Sequence, residues 1–249
     1  MPFTFSHPAL VLLLLRKPTK WLSATGLLAG SVVPDFEYFL RMRKGLSYYS
    51  HTWTGLLWFD LPFAVLLTVL FHQVVRMPLL AHLPAPLSAR FVPFSSLNWP
   101  QVLRNRWPVV LLSVLIGVLT HFGWDWFVHR SGDYWYVHQR IISAFHGWES
   151  HSHLYNRVHL AHSVAGLLAV GLAIYFLPKS SAALASSRQI GLFWFSIVLL
   201  TAAIAGLRFA LGTDLYVEDR IVAILAALLL ALVFTCAVDQ LSQRKSVAR

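Results

Sequence analysis

Charge is scarce in this chain. Of its 249 residues 12% are charged, only 10 are acidic, and there is a single cysteine. Soluble domains carry about 25% charged residues. A chain that is 57% hydrophobic, with a mean hydropathy of +0.62, therefore does not fit a soluble globular class. Cys236 has no second cysteine to pair with, which excludes an intrachain disulfide and a cysteine zinc cluster. The opening MPFTFSHPALVLLLL lacks the basic segment and the small-residue cleavage site of a secretory signal, so it is expected to remain in the mature protein. No internal repeat or low-complexity segment is evident.

What the chain has instead is apolar length. Runs at 53–75, 108–127, 159–177, 190–211 and 221–238 read as membrane spans, because about 20 apolar residues cross the hydrocarbon core. Two shorter stretches within residues 1–40 predict a helical hairpin that enters the membrane part way, or a single span reaching Leu40. The segment from Arg76 to Trp107 contains Pro78, Pro84, Pro86, Pro93 and Pro100 and reads as an extra-membrane loop. Ile141, Ile142, Phe145 and Trp148 recur at helical spacing and predict an interfacial helix. The expected architecture is all-α, a single polytopic membrane domain over 1–249 with five to six spans and a polar tail at 239–249.

The net charge of +10 points to lipid headgroups rather than nucleic acid, since the bases stand in short segments beside apolar runs. If residues 21–40 cross, the segments 16–20, 76–106, 179–188 and 244–249 on one side hold 12 Lys/Arg, and the segments 41–44 and 130–157 on the other hold 6. The positive-inside rule then places both termini in the cytoplasm of a bacterial inner-membrane protein.

Histidine is abundant, and eight of the 12 lie between His121 and His162. His121 and Asp125 are spaced one helical turn apart on one face. Ionisable groups are costly near a bilayer core, so such a pair is expected to face a packed interior or a cavity. Under either topology Asp35 and His51 fall at the same membrane face as this pair, and in the hairpin arrangement His7 joins them. Three imidazoles and two carboxylates form a mixed N/O donor set suited to a divalent metal, zinc first, with manganese or iron as alternatives. Each member also has a plainer reading: His7 as a helix start, Asp35 as a turn or cap, His51 as an interfacial residue, and His121 with Asp125 as a hydrogen bond.

Other residues carry weaker signals. His129 and His162 could extend the cluster as ligands or proton shuttles, and His146 with Glu149 could bind a cation. His138, His151 and His153 read as solvated, and His72 and His82 as boundary residues. Asp60 inside a span suits a structural pair with a base such as Arg208. Trp21, Trp53, Trp107, Trp124 and Trp126 read as an aromatic belt.

Four ordered blocks, MPFTFSHPA, GSVVPDFEYFLR, SHTWTG and THFGWDWFVHRSG, followed by LAHSVAGLL, resemble an uncharacterised prokaryotic integral-membrane family, domain of unknown function 4184. The order His, Pro-Asp, Ser-His, His-x3-Asp is also similar to that of predicted membrane-bound metal-dependent hydrolases. The second likeness implies, by analogy, a metal hydrolase; in such an enzyme one carboxylate, Asp35 or Asp125, could act as general base rather than ligand. A lipid ester or phosphoester at headgroup level would fit the location. The alternatives are a metal-binding or transporting protein without turnover, and a structural role. Valine at 128, where the family has threonine, and the histidine-rich 138–159 segment depart from the pattern.

Overall fold

The computed structural model describes residues 3–15, 20–45, 47–128, 151–180, 187–212 and 216–247. All regular structure among them is helical. A 3-10 turn at Thr4–Ser6 leads into α1 (Pro8–Leu12), and α2 (Ala24–Val32) continues through a 3-10 turn at Val33–Asp35 into α3 (Phe36–Arg41). The remaining helices are α4 (Trp53–His82), α5 (Ala85–Phe91), α6 (Trp99–Val128), α7 (His151–Tyr175), α8 (Ser187–Leu211) and α9 (Val217–Val247). Five of these, α4 and α6 to α9, contain stretches long and apolar enough to cross a membrane.

Much of the segment from Arg76 to Trp107 is helical rather than an irregular loop. α4 continues to His82, α5 follows, and α6 begins at Trp99. Pro86 and Pro100 stand in the first turns of α5 and α6, where the missing N–H costs nothing. The Asn98 side chain accepts from the Gln101 N–H at 3.2 Å and caps α6. These prolines thus start helices. Pro108 has the opposite effect on α6, disfavouring helical backbone just before it, and the helix is kinked at Arg106, whose φ is −134°.

The chain divides into two compact units. The first comprises residues through Asp35, Tyr49–Val65 and Arg106–Phe176. Its organising contact is a glycine seam between α2 and α6. Gly26 and Gly30 are spaced as in the small-xxx-small motif that lets membrane helices touch backbone to backbone. A methyl group on Gly26 would lie 2.8 Å from the Val110 carbonyl oxygen, one on Gly30 would collide with the Val114 carbonyl, and one on Gly117 with that of Leu27. The Ser23 N–H donates to Ser113 Oγ at 2.8 Å and pins the start of α2 to the same helix. The N-terminal turn is anchored to α7, where Phe3 N–H donates to Ser163 Oγ at 2.9 Å and Gly166 leaves room for the Ser6 backbone.

The second unit comprises Phe36–Tyr48, Leu66–Asn105 and residues from Leu177 onward. α8 and α9 pack against each other, and Val75, Phe193, Ile197, Ala231 and Cys236 form a buried cluster. α4 contains two π-helical turns, Leu56–Asp60 in the first unit and Phe71–Val75 in the second. The Gln240 amide donates to the Gln73 and Val74 carbonyls at 2.9 and 3.1 Å, compensating backbone groups that the π turn displaces from the α-helical ladder. His72 and His82 are buried, stacked on Trp99 and Phe193 with ring centroids 4.4 Å apart in each case. Here the imidazoles act as flat packing surfaces. The loop from Met42 to Tyr48 is tied down by two buried carboxylates: Glu37 accepts from the Tyr48 N–H at 2.8 Å, and Asp219 from the Lys44 N–H at 2.9 Å.

Candidate metal centre

All five residues singled out as metal ligands lie in the first unit, and the fold brings them together. Each comes from a different local device, apart from the pair on α6. His7 follows the N-terminal 3-10 turn anchored on α7. Asp35 ends the 3-10 turn that continues α2, so the glycine seam sets its height against α6. His51 precedes the Thr52 cap of α4, whose hydroxyl accepts from the Gly55 N–H at 2.9 Å. The backbone of His51 has φ +54°, a left-handed conformation uncommon for residues other than glycine, though histidine, asparagine and aspartate adopt it more often than most.

Four donor atoms cluster tightly. His51 Nε2 lies 3.3 Å from His121 Nε2, 3.4 Å from Asp125 Oδ2 and 3.7 Å from Asp35 Oδ1. His121 Nε2 lies 3.6 Å from Asp125 Oδ2 and 3.7 Å from Asp35 Oδ1. Ligands placed about 2.1 Å from a zinc ion at tetrahedral corners are about 3.4 Å apart. Five of the six edges of such a figure are accounted for by these contacts. His7 adds a fifth group from the side: its Nε2 is 3.6 Å from Asp125 Oδ1, and its ring stacks on His121 with centroids 3.9 Å apart. Asp125 therefore faces two imidazoles with one oxygen and a third with the other.

The surroundings orient the rings. His121 Nδ1 donates to the Ser31 carbonyl at 2.8 Å, which in the neutral ring leaves the Nε2 lone pair facing the cluster. His51 Nδ1 is 3.0 Å from Ser50 Oγ, so the serine hydroxyl can perform the same service. Both nitrogens of His7 and both oxygens of Asp35 are buried without a hydrogen bond among the described residues. Buried carboxylates require a proton, a counter-charge or a cation, and a divalent ion fits this donor set. The side chains of His7 and His121 are fully buried and those of Asp35 and Asp125 nearly so, whereas His51 is 19% exposed.

His162 stands outside the cluster. Its Nδ1 donates to the Val158 carbonyl at 2.8 Å, and its ring meets the edge or face of Trp124 and Phe127 at 5.9 Å. His159 is buried on the same helix. Asp60 is buried in the first π turn, in the first unit, while Arg208 belongs to the second. The expected interfacial helix around 141–148, with His129, His138, His146 and Glu149, lies outside the described residues, and so do the side chains of His151 and His153. Sequence reasoning did not find the orienting groups, the Ser31 carbonyl and Ser50 hydroxyl, or the glycine seam. The seam had a readable signal in Gly26-Leu-Leu-Ala-Gly30, whereas a backbone carbonyl has none.

Fold and site together define a polytopic helical membrane protein with a buried His/Asp cluster near the end of one span. The family described as Domain of unknown function (DUF4184) matches residues 1–237, and the chain belongs to it. No curated protein and no solved structure matches the chain.

Proposed function

We propose that the protein is a membrane-embedded metal-dependent hydrolase acting on an ester or phosphoester. The observation that carries this reading is the set of four N/O donors from His51, His121, Asp35 and Asp125 spaced at tetrahedral edge lengths. These residues would hold a divalent cation, zinc by the chemistry of the donors, with manganese or iron as alternatives, and His7 would supply a fifth position. When bound, such an ion polarises an ester oxygen and makes water acidic near neutral pH. Asp125 would be one of the residues holding the ion; its Oδ2 lies 3.4 and 3.6 Å from the His51 and His121 Nε2 atoms and its Oδ1 3.6 Å from His7 Nε2. Asp35 presents Oδ1 to the two imidazoles, and in this reading its carboxylate would accept a proton as general base. The Ser31 carbonyl would hold His121 in the ligand tautomer, and the Ser50 hydroxyl would do so for His51 by accepting from its Nδ1–H.

In this reading the protein is a multi-pass protein of the bacterial inner membrane with both termini cytoplasmic, and it contacts lipids rather than nucleic acid. The deciding experiment is metal analysis of purified protein together with ester and phosphoester hydrolysis by wild type and Asp35→Asn. A metal-bearing wild type that turns over substrate, with Asp35→Asn inactive, supports the hydrolase. Buried Asp60, on a span of the same unit, favours a second reading, metal transport without hydrolysis. Metal uptake into vesicles without turnover would establish that one instead.

A further inference from the structure

The geometry points to a bilayer lipid as the substrate, entering past His51 with its acyl portion against Trp53 and Phe122; this rests on the hydrolase reading. The first consideration is access. Of the five clustered side chains four are at most 9% exposed, and only His51 reaches 19%. A substrate therefore meets the cluster at the His51 imidazole.

What flanks that imidazole is aromatic. Phe122 stacks on His51 with centroids 5.9 Å apart and an interplanar angle of 28°, and Trp53 meets Phe122 edge-on at 6.2 Å. Trp53 is itself 76% exposed. Exposed tryptophans at span ends are ordinary belt residues, and Trp21, Trp107 and Trp126 are further examples among the described residues. Trp53 is linked through one ring, Phe122, to the exposed histidine of the cluster.

Position supplies the second argument. Trp53 is the first residue of α4, and Asp125 and His121 stand within the last two turns of the described part of α6. The aromatic side chains beside the entry imidazole thus belong to two helices long and apolar enough to cross a membrane, and an exposed Trp53 next to Phe122 offers an apolar surface that suits an acyl chain better than a water-soluble ester.

The test uses the full-length, zinc-loaded protein reconstituted in vesicles of phosphatidylethanolamine and phosphatidylglycerol, with p-nitrophenyl butyrate and bis(p-nitrophenyl) phosphate as soluble probes. Release of fatty acid or of the phosphorylated headgroup identifies which lipid bond is cut. Lipid cleavage is expected, with Trp53→Ala raising KM for vesicle lipid about tenfold or more while kcat changes less than about threefold. Trp53→Phe should restore KM. Turnover of a soluble probe without lipid cleavage overturns the inference and leaves the hydrolase reading standing. An equal fall in kcat for lipid and soluble probe in Trp53→Ala also overturns it, since the tryptophan would then be structural. Zinc-loaded protein that cleaves neither lipid nor probe removes the hydrolase reading and this inference with it.

Discussion

The Nε2 atoms of His51 and His121 face each other at 3.3 Å, and in the neutral ring His121 Nε2 presents a lone pair, since the Nδ1–H is committed to the Ser31 carbonyl. Something positive belongs between them: a proton on one of the two rings or a cation shared by both. The two cases differ in what an alanine substitution removes. If a cation is held there, His121→Ala and Asp125→Ala will each lower bound transition metal about tenfold or more, as loss of a direct ligand does. Elemental analysis after detergent purification checks this. A wild type that is metal-free and as stable with chelator as without would leave only the hydrogen bond.

Acidity provides an independent check, with a definite sign. Imidazole binds metal only when neutral, and free histidine titrates near pH 6.5, so protons compete with the ion as pH falls. Metal affinity is expected to be high above about pH 7 and to drop by at least about tenfold per unit below about pH 6. In thermal unfolding, added zinc should raise the midpoint at pH 7.5 and have little effect at pH 5.

Asp35→Asn keeps the shape of the side chain while removing its charge and its capacity to take up a proton. Turnover is expected to fall by about 100-fold or more, with metal content reduced less than in Asp125→Ala. Single-turnover kinetics at matched metal occupancy would separate the two effects. Unchanged kcat in Asp35→Asn would remove it from the proton-transfer role.

The glycine seam can be tested without touching any ligand. A methyl group on Gly30 collides with the Val114 backbone, and overpacking of this kind costs about 1–3 kcal/mol. Because α2 carries both the Ser31 carbonyl and, in continuation, Asp35, Gly30→Val should lower metal occupancy as well as stability. Gln240→Ala is the companion measurement: it unsatisfies carbonyls in the second unit at a cost of about 1 kcal/mol, and metal content should not change.

Much of this fold was legible because membranes impose simple rules. Apolar length marked the helices, and residues at the ends of successive antiparallel spans must share a face, which is how His51 could be associated with His121 before any coordinates. Proline misled at 76–107, since the same residue that breaks a helix interior also starts a helix, and the difference depends on what precedes it. Other features had no one-dimensional trace. Which histidines stack on aromatic rings, as His72 and His82 do, depends on partners far away in sequence. The orientation of His121 depends on a carbonyl 90 residues away.

The left-handed backbone at His51 has a consequence for how this protein would fare under selection for stability alone. An ordinary side chain in that conformation costs on the order of 1–3 kcal/mol, which glycine would relieve. His51→Gly should therefore melt higher than the wild type when both are stripped of metal, and bind less metal when it is supplied. Screening for heat resistance without an assay for the ion would drift toward glycine at this position and discard the exposed member of the cluster.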